Sequence, residues 1–479
     1  MQLDKKPGQA KAISLFALIM INVIAVDSLR TLPISAQYGL SLIFYYVVAS
    51  LLFFVPSILI TAELATGWPT TGGVYVWVRE AFGLKWGFLT IWLQWIYNVV
   101  WYPTILAFIA GTLAYLINPH LGDNKIYTLS IIMVLFWGAT ILNCLGIKVS
   151  SWMSILGATL GTLLPMLFII CLGIYWIMSG NPIQLTISKH AFLPDLSNID
   201  NLSFLVAVLF GLMGMEMSAV HAGDVEQPHR DYPRALLISA FLVLITLLFG
   251  SLAIAFVVPA KQIGLVSGLI DAYAIFFNTY HMHWMIDVMT ALIVLSSLSG
   301  VAAWIIGPTR GLWVAAEAGS LPKIFSQVNS KGAPVPILIL QGIIFTLLSS
   351  LFLFMPSVNS TYWILTALTS QLALLFYILM FAAAIKLRYK DAQTPRAYRI
   401  PGGNFGMWLV AGCGIITCIF VIFVGFLPPT DLHITSVFTY EMILIVGIIV
   451  FSIPPFIIDA LEHKWSDKVK QNSVTQPSN

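Results

Sequence analysis

The chain has 479 residues, of which 59% are hydrophobic and only 9% are charged. Soluble domains carry about 25% charged residues, and a soluble fold of this composition would leave most of its helices apolar on every face. The composition therefore excludes a soluble enzyme and predicts a protein that crosses a membrane many times. The net charge of +3 decides less than the way charge is divided between the loops.

Twelve apolar stretches of about 20 residues, bounded by charged or turn residues, predict twelve transmembrane helices. The predicted spans cover residues 12–38, 41–63, 86–117, 126–146, 150–178, 202–224, 234–258, 284–316, 334–355, 361–387, 406–427 and 437–461. Residues 1–11 are polar and lead directly into span 1, so we expect no cleavable signal peptide. The polar residues 462–479 form a tail too short to be a domain.

The basic residues divide very unevenly once both termini are placed in the cytoplasm. Most of the 23 Lys and Arg residues then fall in cytoplasmic loops, whereas the outer loops hold only Lys125, Lys189 and Lys261. Basic loops stay on the cytoplasmic side of a membrane. The distribution therefore supports both the orientation and the number of spans.

Span 1 has charged residues at its centre, where Asp27, Ser28, Arg30 and Pro33 follow an apolar helix. Asp27 and Arg30 are three residues apart, so on a continuous helix they would share a face and could form an ion pair. Alternatively, the helix is interrupted here, and its backbone end and the two charges contact a polar solute.

Span 6 combines Gly214 and Glu216 near mid-membrane depth. Glycine weakens a helix by about 1 kcal/mol relative to alanine, and a carboxylate at this depth costs about 2.5–3.5 kcal/mol on insertion scales. The pair predicts an interrupted helix whose freed backbone groups line a cavity. The alternative is a packing glycine beside a protonated or hydrogen-bonded carboxyl.

Interrupted helices at corresponding positions of two halves indicate a transporter site near the midplane. The N–H groups at the start of a half-helix suit an anionic group, and unwound carbonyls suit an ammonium group. A zwitterionic amino acid satisfies both. We therefore expect its α-carboxylate near the amides of residues 28–30 and its α-ammonium near the carbonyls of residues 210–213.

Several motifs resemble those of the amino acid–polyamine–organocation (APC) superfamily. GMEMSA at 214–219, followed by QPHRDYP at 227–233, is similar to the superfamily's sixth-helix signature. ELATGWPTTGGVYVWV at 63–78 and WIIGPTRG at 304–311 also resemble superfamily motifs. The likeness extends over nearly all of residues 10–460.

WIIGPTRG, together with YRIPGG at 398–403 and FLPP at 426–429, most resembles the bacterial glutamate/GABA antiporter branch. The resemblance implies an all-α integral membrane protein with twelve transmembrane helices, a five-plus-five inverted repeat of the leucine-transporter-like type, and broken helices 1 and 6. It implies alternating access without sodium, usually as exchange of amino acids or their decarboxylation products. The implied segments are a cytoplasmic N-terminus 1–11, a transport core 12–387 with repeats 12–178 and 202–387, peripheral helices over 406–461 and a cytoplasmic tail 462–479.

Three positions depart from the family pattern. Val26, Asp27 and Ser28 occupy the place of the Gly-Ser-Gly type break that most superfamily members have in helix 1. Arg30 stands where the branch has an aromatic residue, and Gly300 stands where the branch has an acidic residue facing the pathway. These changes make the pocket more positive, so specificity for glutamate and GABA does not follow from the branch.

The expected substrate site lies between the interruptions of spans 1 and 6. Its predicted residues are Val26, Asp27, Ser28, Leu29, Arg30, Phe210, Met213, Gly214, Met215 and Trp304. Arg30 either binds a substrate carboxylate bidentately or pairs with Asp27 or Glu216. Phe210 is either an aromatic gate or packing, and the same alternatives apply to Trp304.

Glu216 is predicted to act in coupling or gating. It either carries a proton, as buried acidic residues of transporters do, or joins span 6 to span 1 or 8 by a hydrogen bond. Glu63, at the inner end of span 2, is expected to be an interfacial charge. Residues 67–83 predict an amphipathic loop helix, which either closes an inner gate, as in the family, or lies on the membrane interface.

The cysteines and histidines do not suggest a metal or a cofactor. All four cysteines lie inside apolar stretches without disulfide or metal-ligand spacing; they are Cys144, Cys171, Cys413 and Cys418. His221, His281 and His283 do not share a helical face with acidic residues at metal-ligand spacing. We also find no catalytic motif and no nucleic-acid patch.

We therefore predict an amino acid or amine transporter, not an enzyme, in a bacterial inner membrane with both termini cytoplasmic. Exchange is the expected mode, and the lipid bilayer and protons are the expected partners besides the solute. A monomer and a homodimer are both open. The first alternative is a proton-coupled symporter of the same fold, and the second is a membrane-embedded sensor or enzyme.

Overall fold

A computed structural model describes residues 13–69, 72–145, 159–185, 187–194, 199–225, 227–429 and 436–461. Within these ranges every regular element is a helix, and the only β-type pairing is an isolated bridge between Ile13 and Val225. Ten of the described helical stretches are long and apolar enough to cross a membrane. The prediction of an all-α, multi-pass membrane protein is confirmed.

The described residues of the first half of the chain form nine α-helices. They are α1 (Leu15–Val26), α2 (Thr31–Ala36), α3 (Leu42–Ala49), α4 (Val55–Gly67), α5 (Gly73–Phe82), α6 (Leu84–Ala114), α7 (Lys125–Cys144), α8 (Leu164–Met178) and α9 (Phe204–Gly211). A π-helical turn, Ser50–Phe54, joins α3 to α4, so that the two form one continuous span. The predicted segments 1–11 and 462–479, and the start of predicted span 5, lie outside the described residues.

The second half continues from a 3₁₀ segment, Met215–Asp224, that follows α9. Its helices are α10 (Pro228–Val257), α11 (Gly268–Thr279), α12 (Trp284–Glu317), α13 (Val335–Ser349), α14 (Leu351–Phe354), α15 (Val358–Lys390), α16 (Gly403–Val424) and α17 (Val437–Ser452). Two shorter apolar stretches add to the ten long ones. They are α1 (Leu15–Val26) and the first part of α12, Trp284–Leu298.

Helices α6 and α15 form the centre of the bundle. The most apolar window of α6 is 89% buried and that of α15 is 72% buried, whereas the window of the last span is only 11% buried. Side chains that face lipid are not covered by other parts of the protein, so a span with low burial lies at the periphery of the bundle. Groups fixed to α6 and α15 therefore have the least freedom to move.

A buried ion cluster fastens the predicted cytoplasmic ends of α4 and α15. The Glu63 carboxylate, only 1% exposed, pairs with Arg388, and its Oε1 lies 3.0 Å from Nη1 of Arg396. The amide of Ile400 donates to its other oxygen at 2.8 Å. Glu63 was predicted to be an interfacial charge, and that prediction is wrong because the loop after α15 folds back over it.

The loop helix α5 is held against the end of α15 by lysines. The ammonium of Lys390 donates to the carbonyl of Glu80 at 2.6 Å, and that of Lys386 lies 5.8 Å from the centre of the Phe82 ring. Cations at the C-terminal end of a helix interact favourably with its dipole. An amphipathic loop helix was predicted in the segment 67–83, and α5 forms within that segment at Gly73–Phe82. Residues 70 and 71 lie outside the described ranges.

The ion cluster predicts that breaking a buried ion pair lowers the stability of the protein far more than breaking an exposed one. Replacing Glu63 with Gln leaves two buried guanidinium groups without their carboxylate, and breaking a buried pair in this way costs about 3–5 kcal/mol. We expect a clear fall in the melting temperature of the purified protein in detergent.

The matched control is Lys85→Met, which breaks the exposed pair between Lys85 and Asp459 (2.5 Å; 52% and 27% side-chain exposure). Exposed pairs contribute about 0–1 kcal/mol. Equal shifts in the two variants would contradict the structural role assigned to Glu63.

Candidate functional site

A cavity of about 140 Å³ lies where α1 and α9 end. Its walls come from the interruption after α1, from α6, from the end of α9 and from the middle of α12. The lining residues are Ile24, Ala25, Val26, Asp27, Ser28, Leu29, Arg30, Thr31, Tyr97, Asn98, Trp101, Ile105, Phe108, Thr162, Phe210, Gly211, Met213, Gly214, Ser296, Ser297, Gly300, Val301 and Trp304.

The chain leaves the helical conformation between α1 and α2. The amide of Asp27 still bonds the carbonyl of Val23 at 2.7 Å, but Asp27 itself is extended. The Thr31 hydroxyl and amide then both donate to the carbonyl of Ser28, at 2.7 and 3.1 Å, and α2 begins. In the described chain, the amides of residues 28–30 donate to no backbone carbonyl, so they are available to a ligand.

The second interruption lies between α9 and the following 3₁₀ segment, and it touches the first. Gly214 has φ +123°, a conformation that favours glycine, and a Cβ at this position would lie 2.8 Å from the carbonyl oxygen of Ala25. No described backbone amide donates to the carbonyls of Gly211, Leu212 or Met213. Residues 28–30, whose amides are free, thus line the same cavity as Gly211 and Met213, whose carbonyls are free, whereas Leu212 does not line it.

Arg30 is buried, with only 3% of its surface exposed, yet it makes no ion pair with any carboxylate of the described residues within 4.0 Å. Its Nη1 donates to the hydroxyls of Thr104 (3.3 Å) and Tyr362 (3.1 Å). Its Cζ lies 5.0 Å from the ring centre of Phe210. The pairing with Asp27 or Glu216 that the sequence left open does not occur in this structure.

Asp27 is also buried without a cationic partner in the described part of the chain. Its Oδ2 accepts a hydrogen bond from the hydroxyl of Thr246 on α10 at 2.8 Å, whereas Oδ1 has no partner. A hydroxyl can form a hydrogen bond with a carboxyl group whether the carboxyl is protonated or ionised. Asp27 therefore remains free to respond to a proton or to a neighbouring cation.

Glu216 lies just beyond the second interruption and is only 2% exposed. The Tyr377 hydroxyl donates to its Oε2, and the same hydroxyl accepts a hydrogen bond from the amide of Gly214 at 2.9 Å. Its Oε1 has no partner among the described residues. The carboxyl is thus joined to α15 and to the interruption itself, rather than to span 1 or 8 as predicted for its structural role.

Aromatic rings form one wall of the cavity. The rings of Trp101 and Trp304 meet edge to face with centres 6.1 Å apart, and the Tyr102 hydroxyl donates to the carbonyl of Trp304 at 2.7 Å. Phe210 lies against the Arg30 guanidinium on the other side of the cavity. Aromatic faces attract cations, so this wall suits a cationic group of a solute.

Most of the residues predicted from the sequence come together at the cavity. Val26, Asp27, Ser28, Leu29, Arg30, Phe210, Met213, Gly214 and Trp304 all line it. Met215 and Glu216, which follow the interruption and are 1% and 2% exposed, do not line it.

Sequence reasoning missed four residues that hold the site's charged and backbone groups: Thr104, Thr246, Tyr362 and Tyr377. They come from α6, α10 and α15, and each looks like an ordinary residue in an apolar helix. No group of three or more His, Cys, Asp or Glu side chains in the described ranges could hold a metal ion.

Comparison with known proteins points to one class. Residues 11–449 match a family described as amino acid permease. The chain is 59% identical over 447 residues to an uncharacterized transporter of Legionella pneumophila, covering 93% of this chain and 96% of the relative.

Two further relatives are named antiporters, both from Lactococcus lactis. The chain is 32% identical over 474 residues to a glutamate/gamma-aminobutyrate antiporter, with 98% of this chain and 93% of the relative covered. It is 26% identical over 395 residues to a probable agmatine/putrescine antiporter, with 82% and 83% covered.

The contact between the interruptions makes a specific prediction for Gly214. Replacing it with Ala forces a side chain into a left-handed conformation and against the Ala25 carbonyl, at a cost of about 1–3 kcal/mol. We expect a lower melting temperature of the purified protein. The control is Gly412→Ala, since Gly412 lies within α16 with open space around it. If Gly214→Ala lowers the melting temperature no more than Gly412→Ala does, the two interruptions are not tightly packed.

Proposed function

The chain belongs to the amino acid permease family of the APC superfamily, and we propose that it exchanges amino acids, or amines derived from them, across a membrane by alternating access. Its relatives are named transporters and antiporters, so the class is transporter and not enzyme. The single observation that carries the proposal is the cavity shared by two chain interruptions, with free amides on one and free carbonyls on the other.

We infer that the fold has twelve spans, with broken helices 1 and 6 and a five-plus-five inverted repeat. Ten long apolar helices and two shorter ones, Leu15–Val26 and Trp284–Leu298, support the count among the described residues. The burial of the last two spans, 33% and 11% of their windows, supports a peripheral position for residues 406–461. The transport core is then 12–387, with repeats 12–178 and 202–387.

We further place the protein in a bacterial inner membrane with both termini cytoplasmic. The support is the concentration of Lys and Arg in the loops that this orientation makes cytoplasmic. Relatives named transporter or antiporter from Legionella pneumophila and Lactococcus lactis support a bacterial membrane.

In the proposed complex the α-carboxylate of the solute accepts hydrogen bonds from the amides of residues 28–30. Its α-ammonium donates to the carbonyls of residues 211–213. Of the range 210–213 suggested by the sequence, Phe210 is left out because its carbonyl accepts a hydrogen bond from the amide of Met213. The side chain of the solute then extends towards Arg30 and the wall formed by Trp101 and Trp304. Phe210, beside the guanidinium, covers the solute on one side.

Coupling is assigned to Glu216, which does not line the cavity. A protonated carboxyl and a carboxylate differ in what they offer to Tyr377, since only the carboxylate is purely an acceptor. Because Tyr377 also accepts from the amide of Gly214, a change of proton on Glu216 alters the hydrogen bond that holds the interruption against α15. This is a route from protonation to the shape of the site.

Exchange is tested by counterflow in proteoliposomes with a panel of twenty amino acids and common amines. We expect labelled solute to accumulate only in vesicles preloaded with a substrate. Equal uptake into empty vesicles under a proton gradient would instead establish the proton-coupled symporter, which the buried carboxyls of Asp27 and Glu216 also suit. Failure of every solute in both formats would reject transport of this class.

The coupling role makes a prediction for Glu216→Gln. The amide keeps the size of the side chain but cannot lose a proton, so we expect exchange to lose its dependence on pH, or to be lost altogether. Initial exchange rates between pH 5 and 8 measure this. The control is Glu317→Gln at the exposed end of α12, which should reproduce the profile of the unmodified protein. A profile unchanged in Glu216→Gln would remove Glu216 from the mechanism.

A further inference from the structure

We propose that Tyr362 and Thr104 are positioning residues that hold the Arg30 guanidinium as a two-pronged receptor for a carboxylate on the side chain of the solute. The proposal rests on the transport function above and specifies how the site selects its solute. It concerns three residues on three different spans.

Arg30 uses only some of its hydrogen-bond donors within the protein. A guanidinium has five N–H donors, two on each Nη and one on Nε. Nη1 uses both of its donors, towards the hydroxyls of Thr104 at 3.3 Å and Tyr362 at 3.1 Å. Nε has no partner, and no described residue accepts a hydrogen bond from Nη2. The unpaired edge is therefore Nε–Nη2, whose two parallel N–H groups match the two oxygens of one carboxylate. Nε is enclosed by protein in this structure, so a carboxylate that engages both N–H groups must displace the side chains that cover Nε.

The two hydroxyls are arranged to accept and not to donate towards Arg30. The Thr104 hydroxyl gives its own hydrogen to the carbonyl of Trp101 at 2.7 Å, and the Tyr362 hydroxyl gives its hydrogen to the backbone carbonyl of Arg30 at 3.3 Å. Both residues are fully buried, on α6 and α15. The hydroxyls that hold Nη1 of the guanidinium thus come from two spans that are largely buried, at 89% for α6 and 72% for α15.

The positive charge of Arg30 has no carboxylate partner among the described residues. Arg30 is 3% exposed and has no carboxylate within 4.0 Å in the described ranges, while Asp27 and Glu216 bond to Thr246 and Tyr377 instead. The faces of Phe210 and Tyr362, at 5.0 and 5.7 Å from Cζ, offset only part of the lost hydration. A buried charge without a partner is costly. A carboxylate brought in by the solute would neutralise it, so the unpaired edge favours a solute with a second carboxyl group.

The same bonds could instead serve only to join spans 1, 3 and 10. In that case removing a hydroxyl would loosen the structure equally for every solute. The two readings differ in one measurable quantity, the ratio of exchange rates for acidic amino acids over their amides. Glutamate and aspartate differ from glutamine and asparagine in charge but hardly in size, so this ratio isolates the carboxylate.

The experiment is counterflow of these four labelled amino acids into preloaded proteoliposomes that contain the full-length chain. We expect the unmodified protein to favour the acids. Arg30→Gln should lower the acid-to-amide ratio by about tenfold to a hundredfold, the value of a hydrogen-bonded charged group. Tyr362→Phe and Thr104→Val, each of which removes one support of Nη1, should lower it severalfold in the same direction. Arg30→Lys should also lower it, because an ammonium keeps the charge but lacks the paired edge.

Two variants serve as matched controls. Tyr440→Phe removes a buried hydroxyl that bonds the carbonyl of Gly425 at 2.9 Å on a peripheral span. Thr112→Val removes a buried threonine hydroxyl two turns further along α6 than Thr104. Both should leave the acid-to-amide ratio unchanged even where they lower the total rate.

Three outcomes would overturn the proposal. They are a preference of the unmodified protein for the amides, an unchanged ratio in Arg30→Gln, and equal losses for acids and amides in both Tyr362→Phe and Thr104→Val. In each of these cases the chain still exchanges amino acids, so the proposed function stands. Absence of counterflow with all four solutes and with the wider panel would reject the proposed function itself. If one hydroxyl variant fails to fold, the other and Arg30→Lys still decide the question.

Discussion

The site depends on the contact between two chain segments that leave the helical conformation inside the bundle. A bilayer offers no hydrogen bonds, so backbone groups freed at membrane depth need protein or a cavity around them. Here Gly214 packs against the carbonyl of Ala25, and the absence of a side chain lets the two segments meet. The cavity follows from this contact, because the free amides and carbonyls on either side must face something polar.

The charges near the cavity are held by hydroxyl groups and not by opposite charges. Asp27 bonds to Thr246, Glu216 to Tyr377, and Arg30 to Tyr362 among others. An ion pair would neutralise the side chain within the protein. A hydroxyl holds the side chain in position without neutralising it. A site that must bind and release a charged solute, or a proton, benefits from that arrangement.

The contrast with Glu63 supports this interpretation. That carboxylate lies at one end of the bundle, away from the cavity, and is fully used by Arg388, Arg396 and the amide of Ile400. It joins α4, α15 and the following loop, and it has no charge left over for a ligand. The protein therefore contains two kinds of buried ionisable group, one paired with opposite charges for stability and one held by hydroxyl groups near the cavity.

The sequence by itself determined the membrane class, the positions of the apolar spans and the two places where charge and glycine interrupt them, because these are local properties of composition and periodicity. It also named Arg30, Phe210 and seven other residues that line the one cavity described here. Only the tertiary structure decided which hydroxyls hold the charges, that Met215 and Glu216 do not line the cavity and that Glu63 is buried. Those outcomes depend on helix rotation and on contacts between residues hundreds of positions apart, such as the 332 between Arg30 and Tyr362, and no local pattern encodes them.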